Sequence, residues 1–208
     1  MNDHKTYGLG AAMAGGGPRS QRQGSDFYPT PPDVTAALLA VERFDGPVWE
    51  PACGDGAMAR VLYDHGYEVI STDLADRGFG TGGVDFLSAE PRARTVITNP
   101  PFALAERFIR RGLALNLDAM ALVLKATYWH PAKRLALWRD HPPAAVYALT
   151  WRPDFLNKGA PTMDCIWTVW RRDHAGPTAY APLPRPGCLP AQPLDADLFA
   201  RQPNHARI

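Results

Sequence analysis

Little in this sequence suggests a covalent or metal scaffold. It has only three cysteines, Cys53, Cys165 and Cys188, an odd number with no CxxC spacing. A disulfide framework is thereby excluded, no zinc pattern is present, and a reducing cytoplasm is the expected compartment. His65, His130 and His141 have no ligand spacing and read as structural or exposed, so no metal is expected. No apolar run approaches the ~20 residues of a membrane-spanning helix, so no membrane partner is expected. The opening "MNDHKTYGLGAAMAGGGPRS" holds no apolar h-region, so a secretory leader is not expected either. Internal repeats are absent. Net charge is nearly absent too, with 22 Lys/Arg against 21 Asp/Glu. What is present is 208 residues at 46% hydrophobic content, enough for one soluble domain with a substantial core and, by default, a monomer.

The balanced total conceals an uneven distribution. Residues 1–99 carry 8 Lys/Arg against 13 Asp/Glu, and residues 100–172 carry 11 against 5. A basic second half is compatible with a polyanionic partner and equally with a solvated face. Its cations, Lys125 and Lys133 among them, are candidates for phosphate contacts. Lys158, in the glycine-containing loop "LNKGAP", is the favoured one because that loop should lie near the strand ends. Tyr128, Trp129 and Trp151 are candidates to stack on bases. Trp138, Trp167 and Trp170 fall in periodic apolar segments and are expected to pack.

Residues 1–25, with "AGGGPRS" among them, read as a flexible arm, and the proline-rich residues 175–208 as an extended tail. Between them, over 26–174, helical and strand patterns alternate. "TPPDVTAALLAVERF" reads as a helix with Thr30 as N-cap and Pro31 at its first position. Strands are expected in "PVWEPA", "YEVISTD", "RTVITN" and "AMALVLKA". Helices are expected in "GAMARVLYDHG", closed by Gly66, in "LAERFIRRGLAL" and in "HPAKRLALWRDH". "AVYALTW" and "DCIWTVWRR" follow with no helix between them. The alternation implies an α/β fold: a mostly parallel sheet with helices on both faces and an antiparallel last strand.

Two motifs sit where such sheets bind ligands, beyond the carboxyl ends of strands. In "WEPACGDGAMA" a strand runs through Gly54-Asp55-Gly56 into a helix, which lets backbone approach a ligand closely. Glu50 at the strand tip suits a cationic group better than a pyrophosphate. Asp73, 17 residues after Gly56, is placed to accept from ribose hydroxyls. That fits a nicotinamide dinucleotide or another nucleoside cofactor alike. In "TVITNPPF" a buried strand ends on Asn99-Pro100-Pro101-Phe102. The Asn99 amide oxygen and the Pro100 carbonyl can converge as two acceptors, Pro101 stiffens the turn, and Phe102 offers a stacking face. Two converging acceptors suit an –NH2 group whose lone pair must stay free to attack.

Together, Glu-Pro-x-Cys-Gly-x-Gly at 50–56, Asp73, Asp85-Phe86 and Asn99-Pro-Pro-Phe102 resemble the S-adenosylmethionine-dependent methyltransferases. Within them they are similar to the N6-adenine DNA methyltransferases, especially compact phage- and prophage-type members. "DFYPTPPDV" is similar to that family's Tyr-x-Thr-Pro motif, and "LKATYWHPAKR", "HPPAAVYAL" and "RPDFLNKG" to its later segments. The resemblance spans residues 26–172 and implies a Rossmann-like class I methyltransferase fold. It implies that S-adenosylmethionine lies along Pro51, Ala52, Cys53, Gly54 and Gly56, with its ammonium facing Glu50 and its ribose on Asp73 beside Leu74. Asp85 and Phe86 would meet its adenine, and Tyr28 and Thr30 its carboxylate side. Asn99, beside the cofactor, would hold the target amine with Pro100, and Phe102 would stack on a flipped base. The implied reaction is direct transfer to N6 of adenine in DNA. RNA amino-methylation and protein glutamine N-methylation use similar Asn-Pro-Pro-aromatic motifs and remain alternatives. A non-catalytic nucleic-acid-binding protein or a nicotinamide dehydrogenase fits less of the pattern. No target-recognition domain is expected after the catalytic segments.

Overall fold

Apolar periodicity sets the layers. In the computed structural model, which describes residues 27–188, β4 (Ala119–Lys125) is buried along all but its last residue. Such a strand is covered on both faces. Ala121 and Val123 enter one core layer with Val34, Leu38, Leu62 and Ile97. Leu122 and Leu124 enter the other, with Trp49, Phe108 and Ile109, as the period of two requires.

Around β4 stand β1 (Val48–Glu50), β2 (Val69–Ser71), β3 (Thr95–Thr98), β5 (Ala145–Leu149), β6 (Cys165–Arg171) and β7 (Ala179–Leu183). They form a seven-stranded sheet in the order β2-β1-β3-β4-β6-β5-β7. The first four strands are parallel, and β6 lies antiparallel between β4 and β5. Helices α1 (Pro32–Val41) and α2 (Ala57–Asp64) cover the first layer. α3 (Ala105–Ala114) and α4 (Leu135–Asp140) cover the second. The expected α/β architecture is therefore present, with β6 as its antiparallel strand.

Two expectations change. Thr30 does not cap α1: Pro31 occupies the cap position without a side-chain bond, and Pro32 opens the helix. The Thr30 hydroxyl is instead engaged by Asn99, nearly seventy residues along the chain. Nor is the proline-rich segment only a tail, because residues 179–183 add β7, parallel to β5 at the sheet edge. Proline suits that place: Pro182 has no N–H to give, and an edge strand needs none on its outer side. Ala181 and Leu183 are buried there, and Arg185 pairs with Asp33 of α1 at 2.7 Å. The expected arm, residues 1–25, and the rest of the tail from 189 lie outside the described residues.

One buried hydrogen bond ties the strand tips that matter below. The Trp49 indole N–H donates to Thr72 Oγ1 at 2.9 Å, joining β1 to the end of β2. Both residues are fully buried. Thr72→Val keeps the shape but leaves the indole donor unpaired, so it should cost about 1–3 kcal/mol. Urea unfolding should show a lower midpoint with an unchanged slope; a midpoint equal to wild type would mean that water reaches the indole.

Candidate functional site

The carboxyl ends of β1, β2 and β3 meet at a cleft of about 770 Å3, its open mouth included. Its first wall is built around Asp73. The Gly54 N–H donates to Asp73 Oδ2 at 2.9 Å and the Ala75 N–H to Oδ1 at 2.8 Å. These bonds lock the carboxylate's orientation, and each oxygen keeps a further lone pair for a ligand. Beside it Glu50 is almost wholly buried, and its Oε2 has no hydrogen-bond partner among the described residues. Burial pushes the Glu50 carboxyl well above its usual range; the Ala59 backbone N–H opposes this, and the Asp73 and Asp55 charges add to it. A buried carboxylate oxygen without a donor fits a cationic ligand group. The Cys53 thiol, also in the wall, is pushed up to about 12 by burial and by the Glu50 and Asp73 charges.

Gly54 adopts φ +56°, and a Cβ there would lie 2.2 Å from the Phe27 ring, so only glycine fits. Here the structure departs from the expected bare glycine turn. Phe27 covers Gly54 and Phe79 covers Gly56, and neither glycine lines the cleft. The Arg77 guanidinium stands 4.2 Å from the Phe27 ring centre. Phe27 and Arg77 both line the cleft, and sequence reasoning missed them. The only signal was a phenylalanine beside the Tyr-x-Thr-Pro motif.

The opposite wall is the turn after β3. Asn99 Nδ2 donates to Thr30 Oγ1 at 3.1 Å and to the Tyr28 carbonyl at 3.4 Å. Its Oδ1 is buried and has no hydrogen-bond partner among the described residues. The amide is thus held by its donor end, with its acceptor end left for something carrying an N–H. Pro100 is buried, and the Pro101 carbonyl accepts from Leu104 N–H at 2.8 Å, closing the turn into a 3-10 segment, Phe102–Leu104. Phe102 meets Tyr28 with ring centres 5.9 Å apart and Phe155 edge-on at 6.4 Å. Lys125 Nζ, at the end of β4, stands over the same ring at 4.8 Å.

Most expected site residues therefore share one cleft: Tyr28, Thr30, Glu50, Pro51, Ala52 and Cys53 with Asp73, Leu74, Asp85, Phe86 and the Asn99–Phe102 turn. Two have narrower roles than expected. Asp85 Oδ1 already accepts the Leu87 N–H at 2.9 Å. Phe86 is packed between Trp49 and Phe108, with ring centres 5.1 and 4.8 Å away, so it forms floor rather than an open stacking face. The expected base-stacking residues Tyr128, Trp129 and Trp151 do not line the cleft. Tyr128 is buried under the Arg134 guanidinium, and Trp129 stacks on Trp138 at 3.9 Å. Trp151 packs on the first core layer. Lys158 also lies outside the cleft, exposed on a loop whose backbone is gathered by Asp154: Lys158 N–H donates to Oδ1 at 3.2 Å and Gly159 N–H to Oδ2 at 2.6 Å.

Comparison with solved structures identifies the architecture. A protein described as an RNA methyltransferase, from Pyrococcus horikoshii, superposes with a TM-score of 0.57 at 15% identity, over 74% of this chain and 90% of that one. A protein described as a class I S-adenosylmethionine-dependent methyltransferase, from Listeria monocytogenes, gives 0.51 at 15% identity, over 84% and 71%. A dimethyladenosine transferase from Plasmodium falciparum gives 0.51 at 14%, over 70% and 62%. The chain has the class I methyltransferase fold. No family model and no curated protein matches the sequence. In this methyltransferase fold the cleft lies at the carboxyl edge of the sheet, with its acidic wall on β1 and β2 and its amide wall on β3.

The raised carboxyl of Glu50 has a measurable sign. A group whose folded pKa exceeds its unfolded value supports folding fully below the unfolded value, 4.5, and loses that support as pH rises through the folded one. Glu50→Gln, which stays neutral, should match wild type near pH 4 and melt about 3 °C higher at neutral pH. Calorimetry across pH checks this, and parallel melting curves at every pH would show that the carboxylate is solvated.

Proposed function

We propose that this chain is a methyltransferase that moves a methyl group from S-adenosylmethionine to an exocyclic amine, N6 of adenine in DNA. The observation that carries this reading is the Asn99 amide, clamped through Nδ2 while its buried Oδ1, like Glu50 Oε2, has no partner among the described residues, in two residues that line the same cleft. One wall thus calls for a cation and the other for an N–H donor. A ligand with an ammonium and a ribose fits the first wall: Glu50 takes the charge and the fixed Asp73 carboxylate takes the hydroxyls. When bound, S-adenosylmethionine supplies a methyl group on a sulfonium, an electrophile that needs no covalent help from the protein.

The chain's own residues then have defined tasks. Asn99 Oδ1 and the Pro100 carbonyl accept the two N–H bonds of the amine. That holds its lone pair out of the ring's conjugation and stabilises the positive charge that develops on nitrogen. The proline turn fixes both acceptors in advance, so alignment of donor and acceptor costs little ordering. Phe102 stacks on the base, offsetting part of the few kcal/mol spent in extruding it from a duplex. Cys53, neutral and buried, is not a nucleophile, which disfavours routes through a covalent cysteine adduct. RNA is the second reading, supported by the fold shared with the Pyrococcus and Plasmodium proteins.

Purified protein should transfer a labelled methyl group from S-adenosylmethionine to DNA and yield N6-methyladenine on nucleoside mass spectrometry. Asn99→Ala should lower transfer at least about a hundredfold with cofactor affinity nearly unchanged. Asp73→Ala should weaken cofactor binding first. Label appearing only in RNA or protein would overturn the DNA assignment, and label in no acceptor would overturn the reading itself.

A further inference from the structure

Six of the eleven Lys/Arg in residues 100–172 are paired with carboxylates of the same chain. Arg110 and Arg134 pair with Glu106, Arg139 with Asp140 and Arg152 with Asp164, while Arg171 and Arg172 pair with Glu42 and Asp118. Lys125 is different. It closes β4 at the carboxyl edge of the sheet, beside the Asn99–Phe102 turn, and is half-buried. Among the described residues its ammonium makes no ion pair; its contact is the face of Phe102, at 4.8 Å. Tyr28 and Phe155 gather around the same ring. Phe155 belongs to the Asp154–Gly159 turn that presents the exposed Lys158, which among the described residues also makes no ion pair.

Lys125 does not itself line the cleft, but Phe102 does, and an ammonium held over that ring competes with a base for it. The contact is modest, whereas an ammonium on a phosphate is a charge-assisted bond. A base that arrives with a phosphate next to it can draw Lys125 off the ring and uncover the stacking face. An amine that arrives without an anion must displace Lys125 with nothing offered in return. We propose that Lys125 is a specificity-determining side chain that admits an amine carried on a phosphodiester chain and disfavours a phosphate-free one. This rests on the amine-methylating reading of the cleft and goes beyond it, since it names what distinguishes a polynucleotide from other carriers of the same amine.

The test compares a short single-stranded DNA containing one adenine with the same strand carrying neutral methylphosphonates on both sides of that adenine, and includes the matching RNA strand. Binding is read by fluorescence anisotropy across a salt series, and methyl transfer in parallel. Lys125→Met keeps the aliphatic stem and removes the charge. Wild type should lose about tenfold in kcat/KM on the neutralised strand. Lys125→Met should lose about that much on the natural strand and nothing further on the neutralised one, with a salt slope smaller by about 0.7. Arg94→Gln, whose ion pair with Asp118 lies at the opposite end of the sheet, should behave as wild type. Equal losses on neutralisation in wild type and Lys125→Met would overturn the proposal while transfer to DNA or RNA upheld the reading beneath it. Transfer to no polynucleotide would overturn the proposal and the DNA assignment, and transfer to no acceptor at all would overturn the amine-methylating reading as well.

Discussion

The hydrogen bond from Asn99 Nδ2 to the Thr30 hydroxyl does more than join two parts of the chain. An amide can present either end to a cleft, and a rotating one would present both. Anchoring the donor end to Thr30 and to the Tyr28 carbonyl decides which end faces inward. Those partners precede α1, so the segment leading into the helix that covers one sheet face also orients the amide at the carboxyl end of β3. The arrangement explains why a threonine in a good capping position does not cap. Its oxygen is needed elsewhere, and two prolines start the helix without it.

The acidic and amide walls solve a common electrostatic problem in different ways. Asp73 faces the cleft with its geometry fixed by two backbone donors, so its orientation does not depend on a ligand. Glu50 has no such donor at Oε2 and bears the cost of burial in the ligand-free protein. That cost is relieved when a cation arrives, which makes Glu50 selective as well as attractive. On the proposed reading, a rigid acceptor and a strained acceptor side by side would recognise hydroxyls and charge separately.

Much of this was legible in the sequence because it depends on local rules. Strand-to-glycine-to-helix turns, acids at strand tips and a proline-stiffened amide are short patterns whose consequences reach only a few residues. The alternation of periods gave the layers, and the apolar run in "AMALVLKA" marked a strand, which the sheet order places at the centre. The misses arise from distance along the chain. That Phe27 would cover Gly54, or that Tyr128 would be buried under Arg134, depends on packing between segments that periodicity treats as independent. β7 was hidden for another reason. Its proline reads as a break, although an edge strand tolerates one where a central strand does not.

Cys53 acquires a meaning beyond its packing. A thiolate in the same wall as an alkylating ligand would itself be an acceptor, and the protein would consume its donor by modifying its own chain. Burial and two neighbouring carboxylates keep that sulfur protonated through the neutral range. On the proposed reading, the acids that receive the donor also passivate the thiol in the cleft wall, so the reactive group is spent on the incoming amine.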